Sequence, residues 1–169
     1  EAAFGLVVGA TRILVIATET PAALFALGDY AQVSPRLAAL TWGAEDLAAA
    51  LGASSNRAVD GGYAGPYRLA RSLCLAGAVA AGAEPLDSVF TDFRDGAGLA
   101  QEAAAARRDG FTGKLAIHPD QIGPINAAFT PTTEEVAHAE QIVAAFAADP
   151  TLGAVGIGGR MIDRPHLVQ

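Results

Sequence analysis

Several things are scarce in this chain of 169 residues, and each scarcity excludes something. Cys74 is its one cysteine, so no disulfide framework holds it together; lying in an apolar, helix-like stretch, it reads as a buried, inert thiol. Charged side chains make up only 17% of the residues against 51% hydrophobic, the reverse of the composition that keeps a chain unfolded. Basic residues are few: 11 Lys and Arg against 18 Asp and Glu leave a net charge of −7, which repels phosphate backbones and argues against a nucleic-acid partner. A local basic cluster would still attract an anionic ligand, because net charge governs solubility and steering rather than site chemistry. No apolar run approaches the ~18 residues of a membrane helix, and no charged-then-apolar leader with a cleavage site is present. The expectation is a soluble, cytoplasmic protein with no membrane partner. Nineteen glycines and nine prolines lie without period, so nothing collagen-like or of low complexity is encoded.

What is present is an alternation. Arg12–Thr18 is a short, nearly continuous apolar run of the kind found in a strand covered on both faces, and Pro21–Leu27 follows as a helix with proline in its first turn. Leu37–Trp42 reads as a second strand and Glu45–Leu51 as a short helix stopped by Gly52. Residues 53–65, rich in Ser, Asn, Asp and Gly, form a surface loop. Pro66–Ala81 is the clearest long helix, with Leu69, Leu73, Gly77 and Ala81 repeating on one face and Gly82 closing it. Leu86–Thr91 is a third strand, followed by a helix over Gly96–Asp109. Lys114–Ile117 is a fourth strand, with a short helix over Pro119–Ala128. Thr132 and Glu135 make a capping box for a last helix to Ala148 that turns Val136, Ala139, Val143 and Phe146 inward. Strand and helix alternate four times, which implies a parallel sheet with right-handed crossovers. No repeat of solenoid length appears. The expected division is the strand–helix portion over residues 1–150 and a tail over 151–169.

In parallel α/β folds the reactive groups gather where strands end. The four ends here are Thr18-Glu19-Thr20, Trp42-Gly43-Ala44-Glu45-Asp46, Thr91-Asp92-Phe93-Arg94-Asp95 and Ile117-His118-Pro119. Glu19 and Asp46 stand on successive ends, with no cluster of His or Cys near them in sequence. Two carboxylates suit a hard cation such as Mg²⁺, which takes one or two and leaves its other positions to water and substrate. Equally, each is a carboxylate at a helix start, where the dipole favours it without any metal. Gly43 and Ala44 are placed to offer backbone N–H groups to a carboxylate at the start of the next helix. His118 reads as a ligand or base, or more simply as a packed histidine; Asp92, Arg94 and Asp95 read as a salt-bridged loop, and His138 as solvated. Gly156-Ile157-Gly158-Gly159 follows a helix instead of joining strand to helix, so it is no phosphate loop.

At these same strand ends the chain resembles the citrate lyase β-subunit-like, HpcH/HpaI aldolase family of CoA-ester lyases. The stretches that carry the likeness are Thr18-Glu19-Thr20-Pro21, Trp42–Leu47, Val89–Asp95 and, most strongly, Gly110–Ile122, followed by Ile125-Asn126 and Phe129-Thr130-Pro131. With the helix that contains Arg71, it spans nearly the whole chain. The resemblance implies an α/β fold, the carboxyl-terminal half (about four βα units) of a TIM (β/α)8 barrel plus a C-terminal helix and tail. The family's first four strands, with their Asp-Leu-Glu-Asp-type motif and substrate-binding arginine, have no counterpart here. It implies a Mg²⁺-dependent carbon–carbon lyase, or Claisen-type condensing enzyme, acting on a 3-hydroxyacyl-CoA of the citryl-, malyl- or citramalyl-CoA class. The partners implied are an acyl-CoA thioester and a 2-oxo acid. By the same likeness Glu19 and Asp46 are the metal ligands, and the backbone at Gly43, Ala44 and Glu45 binds the substrate carboxylate. Asp163, in Met161-Ile162-Asp163, matches the aspartate with which a tail closes over a neighbouring subunit's site in relatives similar to malyl-CoA lyase; it is then the acid/base, in a homo-oligomer that is a trimer or a multiple of one. The alternatives are a half-barrel that binds without turnover, or a phosphoenolpyruvate- or pyruvate-class aldolase-like enzyme.

Overall fold

The structure, a computed structural model, describes residues 1–149 and 151–168. It resolves into two compact units, Glu1–Phe129 and Thr130–Gln169. The boundary falls before the capped helix, earlier than the division at residue 150 expected from the sequence.

The first unit is built on four strands, β1 (Ile13–Ile16), β2 (Leu37–Thr41), β3 (Glu84–Asp87) and β4 (Gly113–Lys114), lying side by side in chain order. All three pairings are parallel. Each next strand is reached through helix: α1 (Pro21–Leu24), α2 (Ala44–Leu51), α3 (Gly65–Ala81) and α4 (Gly96–Asp109), with α5 (Ile122–Phe129) after β4. Right-handed crossovers between strands added in sequence order stack the helices on one face, the winding of a (β/α) barrel rather than of a doubly wound sheet. On that face Leu40, Trp42, Leu47, Tyr67, Ala70, Cys74 and Ala78 form the buried core. On the other face Leu14 and Ile16 of β1 remain 45% and 47% exposed.

The short later strands follow from their partners. Only Leu86↔Gly113 and Asp87↔Lys114 pair across β3 and β4, so Val89-Phe90-Thr91, expected within the third strand, leave the sheet. The α3 helix is turned from the expected face: Leu69 and Leu73 are exposed, while Tyr67, Ala70, Cys74, Gly77 and Ala78 face inward. Small residues win that face because the backbones approach closely there. A side-chain carbon built on Gly77 would stand 3.0 Å from the Leu27 carbonyl oxygen.

The second unit consists of α6 (Thr133–Ala148), an antiparallel hairpin of β5 (Ala154–Ile157) and β6 (Arg160–Asp163), and α7 (Arg164–Val168). The capping box is present in both halves: Glu135 N–H donates to Thr132 Oγ1, and Thr132 N–H to Glu135 Oε2. Its core is Ile142, Phe146 and Ile162, which is why α6 clusters with the hairpin and not with the sheet. Val136 and Val143, expected inward, are 45% and 54% exposed, because the face that meets the hairpin runs through Ile142 and Phe146. Among the described residues no helix is long and apolar enough to cross a membrane.

Candidate active site

The first two strand ends are tied together before any acidic side chain is considered. The last ladder bond between β1 and β2 runs from Ala17 N–H to the Thr41 carbonyl, at 2.8 Å. One step further the buried Gly43 N–H donates to the side chain of Thr18, at 3.0 Å to Oγ1. Thr20 then caps α1, accepting from Ala23 N–H at 3.3 Å with Pro21 in the first turn, so Glu19 sits on a short bridge fixed at both ends. Gly43 in turn is the N-cap of α2 and has extended dihedrals.

Glu19 and Asp46 both border this glycine. A side-chain carbon built on Gly43 would lie 3.4 Å from Ile16 Cγ2, 3.7 Å from Glu19 Cγ and 3.9 Å from Asp46 Oδ2. The Glu19 side chain, through Cγ, and the Asp46 carboxylate therefore both border Gly43, on the side of the sheet that carries Ile16. Glu45, their neighbour in sequence, turns elsewhere and accepts from Asn56 Nδ2 at 3.2 Å. Glu19 and Asp46 are both exposed. Among the described residues no group of three or more His, Cys, Asp or Glu side chains is arranged to hold a metal. A pair of hard oxygen donors with open positions fits Mg²⁺, whose coordination is usually completed by water and substrate, and does not fit a closed structural site. Gly43, the N-cap of α2, offers no side-chain cap to the first-turn N–H groups; Ala44 is fully buried and Glu45 exposed.

Beneath the site lies a buried charge network for which no single stretch of sequence gives a signal. Asp87, at the end of β3, accepts from the Trp42 indole at 2.7 Å, from Arg71 Nε at 2.9 Å and from Lys114 Nζ at 3.4 Å. Lys114 Nζ also donates to the Ser88 carbonyl and to Glu102 Oε1, both at 2.7 Å, and Arg71 reaches Asp109 at 2.6 Å. Burial pushes the Asp87 carboxyl up, but the Lys114 and Arg71 charges and their hydrogen bonds outweigh it and hold the group below its ordinary value. Cys74 is buried beside this network, and burial pushes its thiol up to about 12, in keeping with the inert role expected.

At the third and fourth ends the expected salt-bridged loop is instead a set of local caps. Asp92 accepts from Arg94 N–H at 3.1 Å and Asp95 caps α4 through Gly98 N–H at 2.8 Å. Phe93 and His118 stack with centroids 4.7 Å apart, and His118 Nδ1 accepts from Asp120 N–H, so the histidine is packed and capping. A cleft of about 660 Å³ lies between residues 57–62 and the start of α4.

In the second unit Asp163 closes β6, and its Oδ1 lies 2.5 Å from His166 Nδ1 one turn into α7. His166 and His138 both border a cavity of about 470 Å³ together with Ile142 and Ile162. The structure thus brings Glu19, Gly43 and Asp46 together in one unit and describes Asp163 in the other. The Asp87 network is what strand-end reading misses, because Trp42, Arg71 and Lys114 are remote from Asp87 in sequence. His166, three residues after Asp163, has no sequence signal of its own.

The family model for HpcH/HpaI aldolase/citrate lyase matches residues 1–119. A citrate lyase subunit beta-like protein of Mycobacterium tuberculosis (strain ATCC 25618 / H37Rv) is 36% identical over 167 residues, 99% of this chain and 60% of that protein. The mitochondrial citramalyl-CoA lyase of Rattus norvegicus is 40% identical over 140 residues, 82% of this chain and 40% of that protein. Among solved structures, protein CitE from Mycobacterium tuberculosis in complex with magnesium, acetoacetate and coenzyme A matches with a TM-score of 0.74 at 32% identity, covering 94% of this chain and 65% of that one. The chain spans 40% to 60% of the length of these curated relatives.

Proposed function

Because the chain belongs to the HpcH/HpaI aldolase/citrate lyase family, we propose that it carries the metal-binding half of a CoA-ester lyase. The reaction is cleavage of a 3-hydroxyacyl-CoA of the citryl-, malyl- or citramalyl-CoA class to an acyl-CoA and a 2-oxo acid, or the reverse Claisen-type condensation. The observation that carries this reading is the proximity of Glu19 and Asp46 to Gly43, beside the uncapped start of α2. The magnesium, acetoacetate and coenzyme A of the matched CitE structure support the same assignment.

Glu19 and Asp46 would hold Mg²⁺, which when bound supplies Lewis-acid polarisation of the 2-oxo acid carbonyl. The backbone N–H groups of Ala44 and Glu45 bind that acid's carboxylate at the positive end of the α2 dipole. Gly43 keeps the floor of the site open, since any side chain there would fill the space between the two acids. In the cleavage direction the substrate hydroxyl gives its proton to solvent water and the carbon–carbon electron pair passes into a thioester enolate. The enolate α-carbon takes its proton from the acid form of Asp163; in condensation the Asp163 carboxylate removes it. Asp163 acts from the second unit of a neighbouring copy, in a homo-oligomer.

Titration with Mn²⁺ tests the metal pair. The wild type is expected to bind one ion, with Glu19→Gln and Asp46→Asn each raising the dissociation constant at least ~10-fold. An assay for acyl-CoA released from malyl- or citramalyl-CoA tests turnover, with phosphoenolpyruvate as the competing substrate class. Metal binding without release of an acyl-CoA favours the second reading, a binding half-barrel. That reading has its own support in the exposure of Leu14 and Ile16.

A further inference from the structure

We infer that Thr18 is a positioning residue for the metal pair: its hydroxyl sets the separation of Glu19 and Asp46. This rests on the reading of those two carboxylates as metal ligands.

In a regular parallel ladder the bond that follows Ala17 N–H to Thr41 O would run from Gly43 N–H to the Ala17 carbonyl. Here Gly43 N–H goes to Thr18 Oγ1 instead, at 3.0 Å. The side chain therefore extends the sheet by one bond at the point where the β1 backbone turns away towards Glu19. Thr18 is fully buried and Gly43 is buried, so water does not substitute for this acceptor. Each partner of the bond adjoins a ligand-bearing segment. Thr18 precedes Glu19 directly, and Gly43 caps the helix whose first turn bears Asp46. The same glycine is bordered by both ligand-bearing side chains, Glu19 through Cγ and Asp46 through Oδ2. On the other side of Gly43, Trp42 is held by Asp87, so the Thr18 bond is the adjustable member of a clamp whose far side is fixed.

Threonine to valine keeps the shape and removes the acceptor. Gly43 N–H must then stay unpaired or fall back on the Ala17 carbonyl, which straightens the end of β1 and carries Glu19 with it. The expected result is a Mn²⁺ dissociation constant raised ~10-fold in Thr18→Val, the size of effect typical of residues that orient metal ligands. Thr18→Ser, which keeps the hydroxyl, should stay within about 2-fold of wild type on the same ground. The measurement is Mn²⁺ titration of the full chain followed by electron paramagnetic resonance, with circular dichroism to select folded protein. Thr18→Ala replaces the valine variant if the latter does not fold. Weak binding in the valine or alanine variant with rescue by serine supports the clamp. Unchanged binding in the folded valine or alanine variant overturns the clamp and leaves the metal pair standing. Equal loss in the serine variant also overturns it, because the hydroxyl is then not the cause. No Mn²⁺ binding by wild type overturns the metal pair and the clamp with it, while a bound ion that Glu19→Gln does not weaken places the metal elsewhere and overturns both.

Discussion

Asp87 concentrates more charge than any other buried position described above. Only 1% exposed, it faces Lys114 and Arg71 and accepts a hydrogen bond from the Trp42 indole N–H. Without Asp87, Lys114 and Arg71 keep only the partly exposed carboxylates of Glu102 and Asp109, so Asp87→Asn is expected to lower the unfolding free energy by about 3 kcal/mol, the low end for breaking a buried pair. Urea denaturation checks this, and Trp42, the only tryptophan, reports the loss at its own hydrogen bond. The sign of the pH dependence follows from the direction of the shift. A carboxyl held below its unfolded value contributes fully above that value, about 3.9, and the contribution is lost as pH falls through the folded value. Wild type should therefore lose stability on acidification below about pH 4 more steeply than Asp87→Asn. Parallel acid curves would show that the network does not carry this stability. At this scale the proximity of Glu19 and Asp46 to Gly43 was legible because position at a strand end is readable in sequence. The network was not, because Arg71, Asp87 and Lys114 each resemble an ordinary surface charge until the fold removes water from all three.

Local signals and tertiary packing contributed unequally to the elements. The capping box of α6 is a four-residue code, and it stands in the structure as the residues spell it. The helix faces are decided elsewhere. A 3.6-residue pattern in α3 fits Leu69 and Leu73 as well as it fits Ala70 and Cys74, and only the close approach of Gly77 to Leu27 selects the smaller set. The hairpin of β5 and β6 went unread because glycines interrupt its alternation: Val155 and Ile157 face inward on β5, and the Gly158-Gly159 turn, with φ of 57° and 76°, has the dihedrals hairpins favour. The capping box provides the test at this scale. Thr132→Ala removes the acceptor for Glu135 N–H and loosens the reciprocal bond, a loss of about 1 kcal/mol. Hydrogen exchange should show the amides at the start of α6 opening faster while those of α3 are unchanged. Equal acceleration in α3 would mean that the cap stabilises the chain as a whole.

Across the whole molecule, stability is divided as unevenly as the core. The Glu1–Phe129 unit buries an extended cluster from Ala17 to Phe111, whereas among the described residues of the second unit Ile142, Phe146 and Ile162 form the buried apolar cluster. A core that small supports only marginal independent stability. The larger unit has its own weakness. Its sheet ends in two strands, β1 and β4, with no outer partner among the described residues, and it exposes Leu14 and Ile16 of β1, features that favour association through sheet edges. The two units should therefore unfold separately. Native-state hydrogen exchange in rising urea is expected to show β2 and α3 exchanging only through the global transition. Amides of α6, β5 and β6 should open at a distinctly lower free energy and with a smaller urea dependence, since less surface is exposed by their opening. A single opening free energy shared by α3 and α6 would refute the division and require the hairpin unit to draw its stability from the sheet. An exchange gap between them would mark the segment bearing Asp163 as the part of the molecule with the least stability to lose.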